Sequence, residues 1–166
     1  HTRSSTVSWA REMCIRDRFR SREPVILQEE MAAASSRFLL CSDDGTAGEQ
    51  GFVTGALERL LQQGERFDMV FAIGPLPMMQ AVSELTRRFD TPCTVSMNPI
   101  MIDGTGMCGC CRLTVGGEVR FACVDGPEFD GHQVDFAEAI RRSRLYRPQE
   151  QQRREAACHL LGHDPA

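Results

Sequence analysis

Four of the chain's eight cysteines fall within DGTGMCGCCRLTVGGEVRFAC, residues 103–123, and two of them are adjacent. Thiols at this density bind metal, form disulfides or serve catalysis, and in a reducing compartment metal or catalysis is favoured. A disulfide between neighbouring Cys110 and Cys111 is geometrically awkward. A structural zinc site usually offers two C-x2-C or C-x2-H knuckles. Here Cys108 and Cys111 form one, Cys123 stands alone, and the next histidine is His132. The remaining choice is iron with sulfide, whose plant-type spacing is C-x4-C-x2-C followed by a distant cysteine. With Cys108 and Cys111 on the second and third positions, Asp103 takes the first and Cys123 the fourth. The one departure is a carboxylate in place of a thiolate, a harder donor that still ligates iron and alters the potential. Spacing therefore favours a 2Fe-2S cluster over zinc. Cys110 is then a bystander, or a substitute ligand if Asp103 does not bind.

Elements on either side must hold this loop in place. Gly104, Gly106 and Gly109 let it curl around an inorganic core so that backbone N–H groups point inward. RLTV and EVRF, separated by Gly116 and Gly117, read as a hairpin with a two-residue turn. VDFAEAIRRSRLY reads as a last helix capped at or just before Asp135. Upstream, PVILQEEMAAASS, FVTGALERLLQQG and PLPMMQAVSELTRRF read as helices. They alternate with strand-like RFLLCS, FDMVFAIG and CTVSM, and DDGTAGEQG reads as a loop. Alternating strands and short-linked helices over residues 37–97 predict an α/β fold, a parallel sheet with flanking helices, whose ligands bind beyond the strands' C-terminal ends. Cys41 and Cys93 sit in strands as small apolar groups, and Met78 and Met79 serve equally well as core or as cofactor contacts.

The expected organisation has four parts. Residues 1–22 lack apolar periodicity and an initiator methionine, and are expected to be a non-native, disordered leader. Residues 23–97 form a partial nucleotide-binding domain, 98–146 a small cysteine-rich subdomain with the hairpin, and 147–166 a tail. A net charge of -4 argues against a nucleic-acid partner. The arginines between Arg141 and Arg154 are diluted by Glu150 and read as a solvated helix face. No apolar run reaches the length of a membrane span, so no membrane partner is expected and a cytoplasmic location is the simplest expectation.

CSDDGTAGEQGFVT, AIGPLPMM and the segment from Asn98 to Phe136 together resemble the electron-transfer subunits of B-type dihydroorotate dehydrogenases. They resemble still more closely the small subunit of the NADH-dependent ferredoxin:NADP oxidoreductase, or sulfide dehydrogenase flavin subunit. The resemblance covers about residues 25–146. It implies a ferredoxin-reductase-like architecture with an FAD-binding barrel, an NAD(P)-binding α/β domain and a 2Fe-2S loop. The barrel and the first glycine-rich pyrophosphate turn are not found in this sequence. Dihydroorotate-type members carry Cys at the position of Asp103 and the ferredoxin:NADP type carries Asp, so the resemblance points to the second branch.

Carried over residue by residue, it makes Asp103, Cys108, Cys111 and Cys123 the metal ligands. Gly74, Pro75, Pro77 and Met78 fall on a G-P-x-x-M motif near the nicotinamide, and Asp43, Asp44 and Gly45 on a DDG loop near the cofactor's ribose. Two carboxylates there favour NADH. No side chain is implicated as a general acid or base. The implied function is an NAD(P)H-dependent oxidoreductase subunit passing electrons between NAD(P)H, FAD and a catalytic partner subunit, with ferredoxin a possible further partner. That partner is a glutamate-synthase-like flavoprotein or, on the pyrimidine-biosynthesis alternative, the dihydroorotate dehydrogenase catalytic subunit. The alternative of another class is a zinc-stabilised, non-enzymatic interaction module. A fragment of this extent is expected to be inactive alone.

Overall fold

The computed structural model describes residues 14–19, 25–42 and 44–153, the first of these as backbone only. It divides into two compact units, His1–Glu65 and Arg66–Ala166.

In the first unit, strand β1 (Cys14–Phe19) pairs in parallel with β2 (Arg37–Ser42), which pairs in parallel with the two-residue β3 (Glu49–Gln50). Helix α1 (Gln28–Ala34) precedes β2 and buries no residue. Helix α2 (Val53–Gln62) follows β3 and places Ala56, Leu57, Leu60 and Leu61 on one face, the i, i+1, i+4, i+5 spacing of an amphipathic helix. These side chains join Leu40 and Cys41 of β2 in the unit's core. The expected disordered leader is thus corrected for Cys14–Phe19. A ladder is built from backbone N–H and C=O groups, so an edge strand forms without the apolar alternation that sequence reading looks for. Residues 1–13 lie outside the described residues.

In the second unit, β4 (Val70–Ile73) pairs in parallel with β5 (Cys93–Ser96), joined by helix α3 (Leu76–Arg88). The hairpin of β6 (Arg112–Val115) and β7 (Glu118–Phe121) forms as expected, with Gly116 and Gly117 at φ 60 and 82. Strand β8 (Glu128–Asp130) then runs antiparallel against β5, and helix α4 (Phe136–Ser143) closes the unit. Its N-cap is Asp135, whose carboxylate accepts the Glu138 N–H at 2.9 Å. Helical turns continue over residues 147–153.

Strand β8 explains why the units divide at Glu65 rather than at residue 97. It returns from the cysteine-rich segment to β5 and ties that segment into the β4–β5 sheet, and Met97 N–H continues the connection by donating to Pro127 O at 2.9 Å. The sheet is therefore mixed, with an antiparallel edge that local pattern does not reveal. Strand β4 also departs from the fully buried strand expected: Ala72 is buried, but Phe71 and Ile73 on the alternate face are exposed.

Met79 and Val95 are fully buried, and Leu85, Val82, Leu113, Ala122 and Phe136 complete the core that carries the cysteine loop. Met79 is thereby a packing residue. Met79→Ala is expected to cost about 2–4 kcal/mol in urea unfolding, with no change in any metal content per folded molecule.

Candidate metal centre

The cysteine loop hangs between β5 and the hairpin, and three contacts shape it. The Asp103 carboxylate accepts the Thr105 N–H at 3.0 Å through Oδ1 and the Cys108 N–H at 2.9 Å through Oδ2. Cys111 immediately precedes β6 and Cys123 lies just past the end of β7, so antiparallel pairing brings them together, with Sγ atoms 3.2 Å apart. Gly106, at φ 81, takes a left-handed turn that a side chain would strain, and its N–H faces the Cys123 sulfur.

The electrostatics separate the thiols. Burial pushes the Cys111 thiol up, but the backbone N–H groups of Cys123, Cys111 and Ala122, with the Cys123 thiol, outweigh it and hold Cys111 below its ordinary range. The Cys111 thiol, with some burial, in turn raises Cys123. The Cys108 thiol beside Cys110 raises Cys110. The Thr105 N–H holds the Asp103 carboxyl below the usual carboxylate range, with the Cys108 thiol and N–H assisting.

Among the described residues, no three His, Cys, Asp or Glu groups gather as a single ion would require. The donors fall instead into two pairs, Asp103 with Cys108 and Cys111 with Cys123. A zinc ion draws four ligands to one point, whereas a two-iron cluster takes two ligands at each iron. One oxygen and three sulfur donors in two pairs, with backbone N–H groups already aimed at sulfur, suit the two-iron group in number, chemistry and arrangement. The Cys110 thiol lies against the Cys108 thiol and within electrostatic reach of Asp103 and Cys111, so it adjoins the first pair.

The residues expected at the nucleotide are divided between the units. In the first, Asp43 lies outside the described residues. Asp44 is exposed and its carboxylate accepts the Thr46 N–H at 3.0 Å and hydroxyl at 2.7 Å, an Asx turn whose Thr46 hydroxyl and N–H lower its pKa. Gly45 follows at φ 73. In the second, Gly74 directly follows β4 and Pro75 is the N-cap of α3, so Gly74, Pro75, Pro77 and Met78 form the turn from strand end to helix start where dinucleotides bind in such folds. A Cβ on Gly74 would meet the Met78 Cε at 2.6 Å, which fixes how closely that methionine covers the turn. At the other end of β5, Asp90, Cys93, Asp130 and His132 line a cavity of about 450 Å³. It holds none of the expected site residues: burial raises the Cys93 thiol, and the His132 ring lies 3.0 Å from the Thr86 hydroxyl.

Two side chains on the loop were not legible in its spacing. Arg112 Nη1 donates to Gly109 O at 3.1 Å, and Arg142 Nη2, from α4, donates to Cys110 O at 3.2 Å. The second contact shows that Arg142 does more than decorate a solvated helix face.

Fold and loop together define a ferredoxin-reductase-like α/β unit carrying an iron–sulfur-binding segment. Residues 98–135 match the model of the iron-sulfur cluster binding domain of dihydroorotate dehydrogenase B. An uncharacterized protein from the adh 3′ region of Clostridium beijerinckii is 47% identical over 132 residues, covering 79% of this chain and 45% of that protein. The dihydroorotate dehydrogenase B (NAD(+)) electron transfer subunit homolog of Thermotoga maritima is 47% identical over 131 residues, 79% of this chain and 46% of that one. A solved structure of the NADH-dependent reduced ferredoxin-NADP oxidoreductase, described for flavin-based electron bifurcation, superposes with a TM-score of 0.77 at 42% identity, covering 87% of this chain and 52% of that one. Over most of its own length the chain is similar to the electron-transfer subunit of dihydroorotate dehydrogenase B and to a ferredoxin-NADP oxidoreductase, and residues 98–135 match the iron-sulfur-binding domain of the former. It spans about half the length of the curated relatives it matches.

Proposed function

We propose that the chain is part of an electron-transfer subunit of an NAD(P)H-dependent flavin and iron–sulfur oxidoreductase of the ferredoxin:NADP type. In this reading Asp103, Cys108, Cys111 and Cys123 hold a 2Fe-2S cluster, and the whole protein passes electrons between NAD(P)H, FAD and a catalytic partner subunit. The observation that carries it is the two-and-two arrangement of one carboxylate and three thiols, within a segment that matches an iron–sulfur domain. When bound, the cluster supplies a one-electron relay. The chain's own part is positional. Strands β6 and β7 clamp Cys111 against Cys123, the Asp103 turn shapes the rim at Cys108, and backbone N–H groups stabilise negative charge on sulfur.

For the nucleotide we propose Gly74, Pro75, Pro77 and Met78 near the nicotinamide, and Asp44 and Gly45, with Asp43, near the ribose. Carboxylates opposite hydroxyls favour NADH over a 2′-phosphate. A second reading, the electron-transfer subunit of a dihydroorotate dehydrogenase in pyrimidine biosynthesis, is favoured by the description of the Thermotoga maritima relative. A neighbouring gene for a dihydroorotate dehydrogenase catalytic subunit selects it, and one for a glutamate-synthase-like flavoprotein selects the ferredoxin:NADP type.

After anaerobic purification, visible absorption with iron and sulfide analysis is expected to give a coloured protein with about two iron and about two sulfide per chain. A colourless protein holding one zinc overturns the reading in favour of a structural module.

A further inference from the structure

We propose that Arg142 is a positioning residue for the cluster loop: its guanidinium holds the Cys110 carbonyl away from the sulfur cage, which aims the Cys111 N–H inward, and its charge raises the potential of a cluster held there. The proposal rests on the iron–sulfur reading of the loop.

A trans peptide sets its C=O and N–H on opposite sides of one plane. Whatever holds the carbonyl of residue i therefore directs the N–H of residue i+1 the other way. Arg142 Nη2 donates to Cys110 O at 3.2 Å, and the N–H across that peptide belongs to Cys111, where it faces the Cys111 sulfur. One peptide earlier, Arg112 Nη1 donates to Gly109 O at 3.1 Å. Two successive peptide planes between Cys108 and Cys111 thus each carry a guanidinium on their carbonyl, one from Arg112 at the start of β6, whose own N–H also reaches Gly109 O, and one from Arg142 in α4.

Arg142 is delivered by a chain of local causes. Asp135 caps α4, and Phe136 and Ala139 bury its inner face. Glu138 on the same side accepts the Thr114 N–H of β6 at 3.1 Å, which fixes the helix against the hairpin. Four residues on, one helical turn brings Arg142 level with the start of β6. It is half-buried, and among the described residues neither Arg142 nor Arg112 has a carboxylate partner. An unneutralised cation screened only in part favours the more negative, reduced form of a nearby redox group. Arg112 is exposed, so its charge is screened by water and its contribution is smaller.

The test compares wild type, Arg142→Gln and Arg142→Lys in the 166-residue chain, reconstituted anaerobically with iron and sulfide. Readouts are the melting temperature before reconstitution, the potentiometric midpoint and the rate of iron release to a chelator. Arg142→Gln is expected to melt with the wild type and to take up iron. At the wild-type midpoint its reduced-to-oxidised ratio should fall about tenfold, about 59 mV for one electron, with iron released about tenfold faster. Arg142→Lys, which keeps the charge, should recover most of the potential. A Gln variant that melts normally and fails to load, while the Lys variant loads, also supports the proposal. Equal midpoints in all three proteins overturn it, as does a loss of melting temperature that Lys repairs without repairing the potential. A wild-type chain that takes up no iron and sulfide overturns the iron–sulfur reading itself, and the proposal with it.

Discussion

Cys108→Ser is expected to weaken iron binding at least about 100-fold, while Cys110→Ser keeps the iron and sulfide content and visible spectrum of the wild type. The two positions are separated by a single glycine and carry the same side chain, so composition cannot separate them. Geometry does. Cys108 donates its N–H to Asp103 Oδ2 at 2.9 Å, and the thiol of the same residue assists in lowering the Asp103 carboxyl, so both groups face one corner of the loop. Cys110 has its carbonyl held by Arg142 and its thiol turned to the Cys108 thiol, which raises it, and the loop spacing leaves it without a place in the ligand set. A serine hydroxyl resists the deprotonation that a ligand needs and is a poor match for iron that prefers sulfur. At Cys108 that substitution removes a ligand, and at Cys110 it removes a neighbour. Equal loss in both variants shows instead that Cys110 ligates and Asp103 does not. Iron and sulfide analysis with the visible spectrum of each purified variant reads the difference.

What the sequence shows in advance follows the range of the forces involved. The Gly116–Gly117 hairpin and the Asp135 cap are set by a few adjacent residues, and both appear where the sequence places them. Asp103 also stands out from spacing, on the proposed reading in which the loop wraps a small inorganic core and so fixes the intervals between its donors. Strand β8 is different. Its three residues, Glu128–Asp130, have little apolar character, and the pairing with β5 is made by backbone groups more than thirty residues away in sequence, as the register Val95 to Phe129 shows. The exposed Phe71 and Ile73 are hidden from pattern reading for the same reason: an apolar run predicts a strand without saying which of its faces is covered. Arg142 is the strongest case. It lies about thirty residues beyond the loop it touches, within a run of arginines that reads as a solvated face, and only the packing of α4 on β6 reveals its contact. The residues proposed for the nucleotide read in the sequence as a strand end and a turn, and they take those places in the fold. The structure adds that the Asp44 carboxylate is committed to Thr46, so any ribose contact must share it with that turn.

Asp103→Ala is expected to reduce cluster affinity by about 10- to 100-fold, and the neighbouring variants show whether the carboxylate acts as ligand or only as a turn. Both oxygens accept loop N–H groups, from Thr105 and Cys108. A purely structural role therefore predicts that Asp103→Asn behaves nearly as the wild type, since the amide oxygen still accepts the Thr105 N–H and Asx turns tolerate either residue. A ligand role predicts the opposite. The neutral amide is a weak donor to iron, so Asn should fall close to Ala. Asp103→Cys then separates the two roles from the other side. Thiolate is a poorer acceptor for the turn but a better donor for iron, so this variant should retain the cluster with an altered visible spectrum and potential if position 103 ligates, and lose it if the turn alone matters. Iron content across Asp, Asn, Ala and Cys at this position is therefore expected to run high, low, low, high. The order high, high, low, low assigns Asp103 to the turn and returns Cys110 to the ligand set, because the second sulfur within reach of Cys108 is the donor that remains.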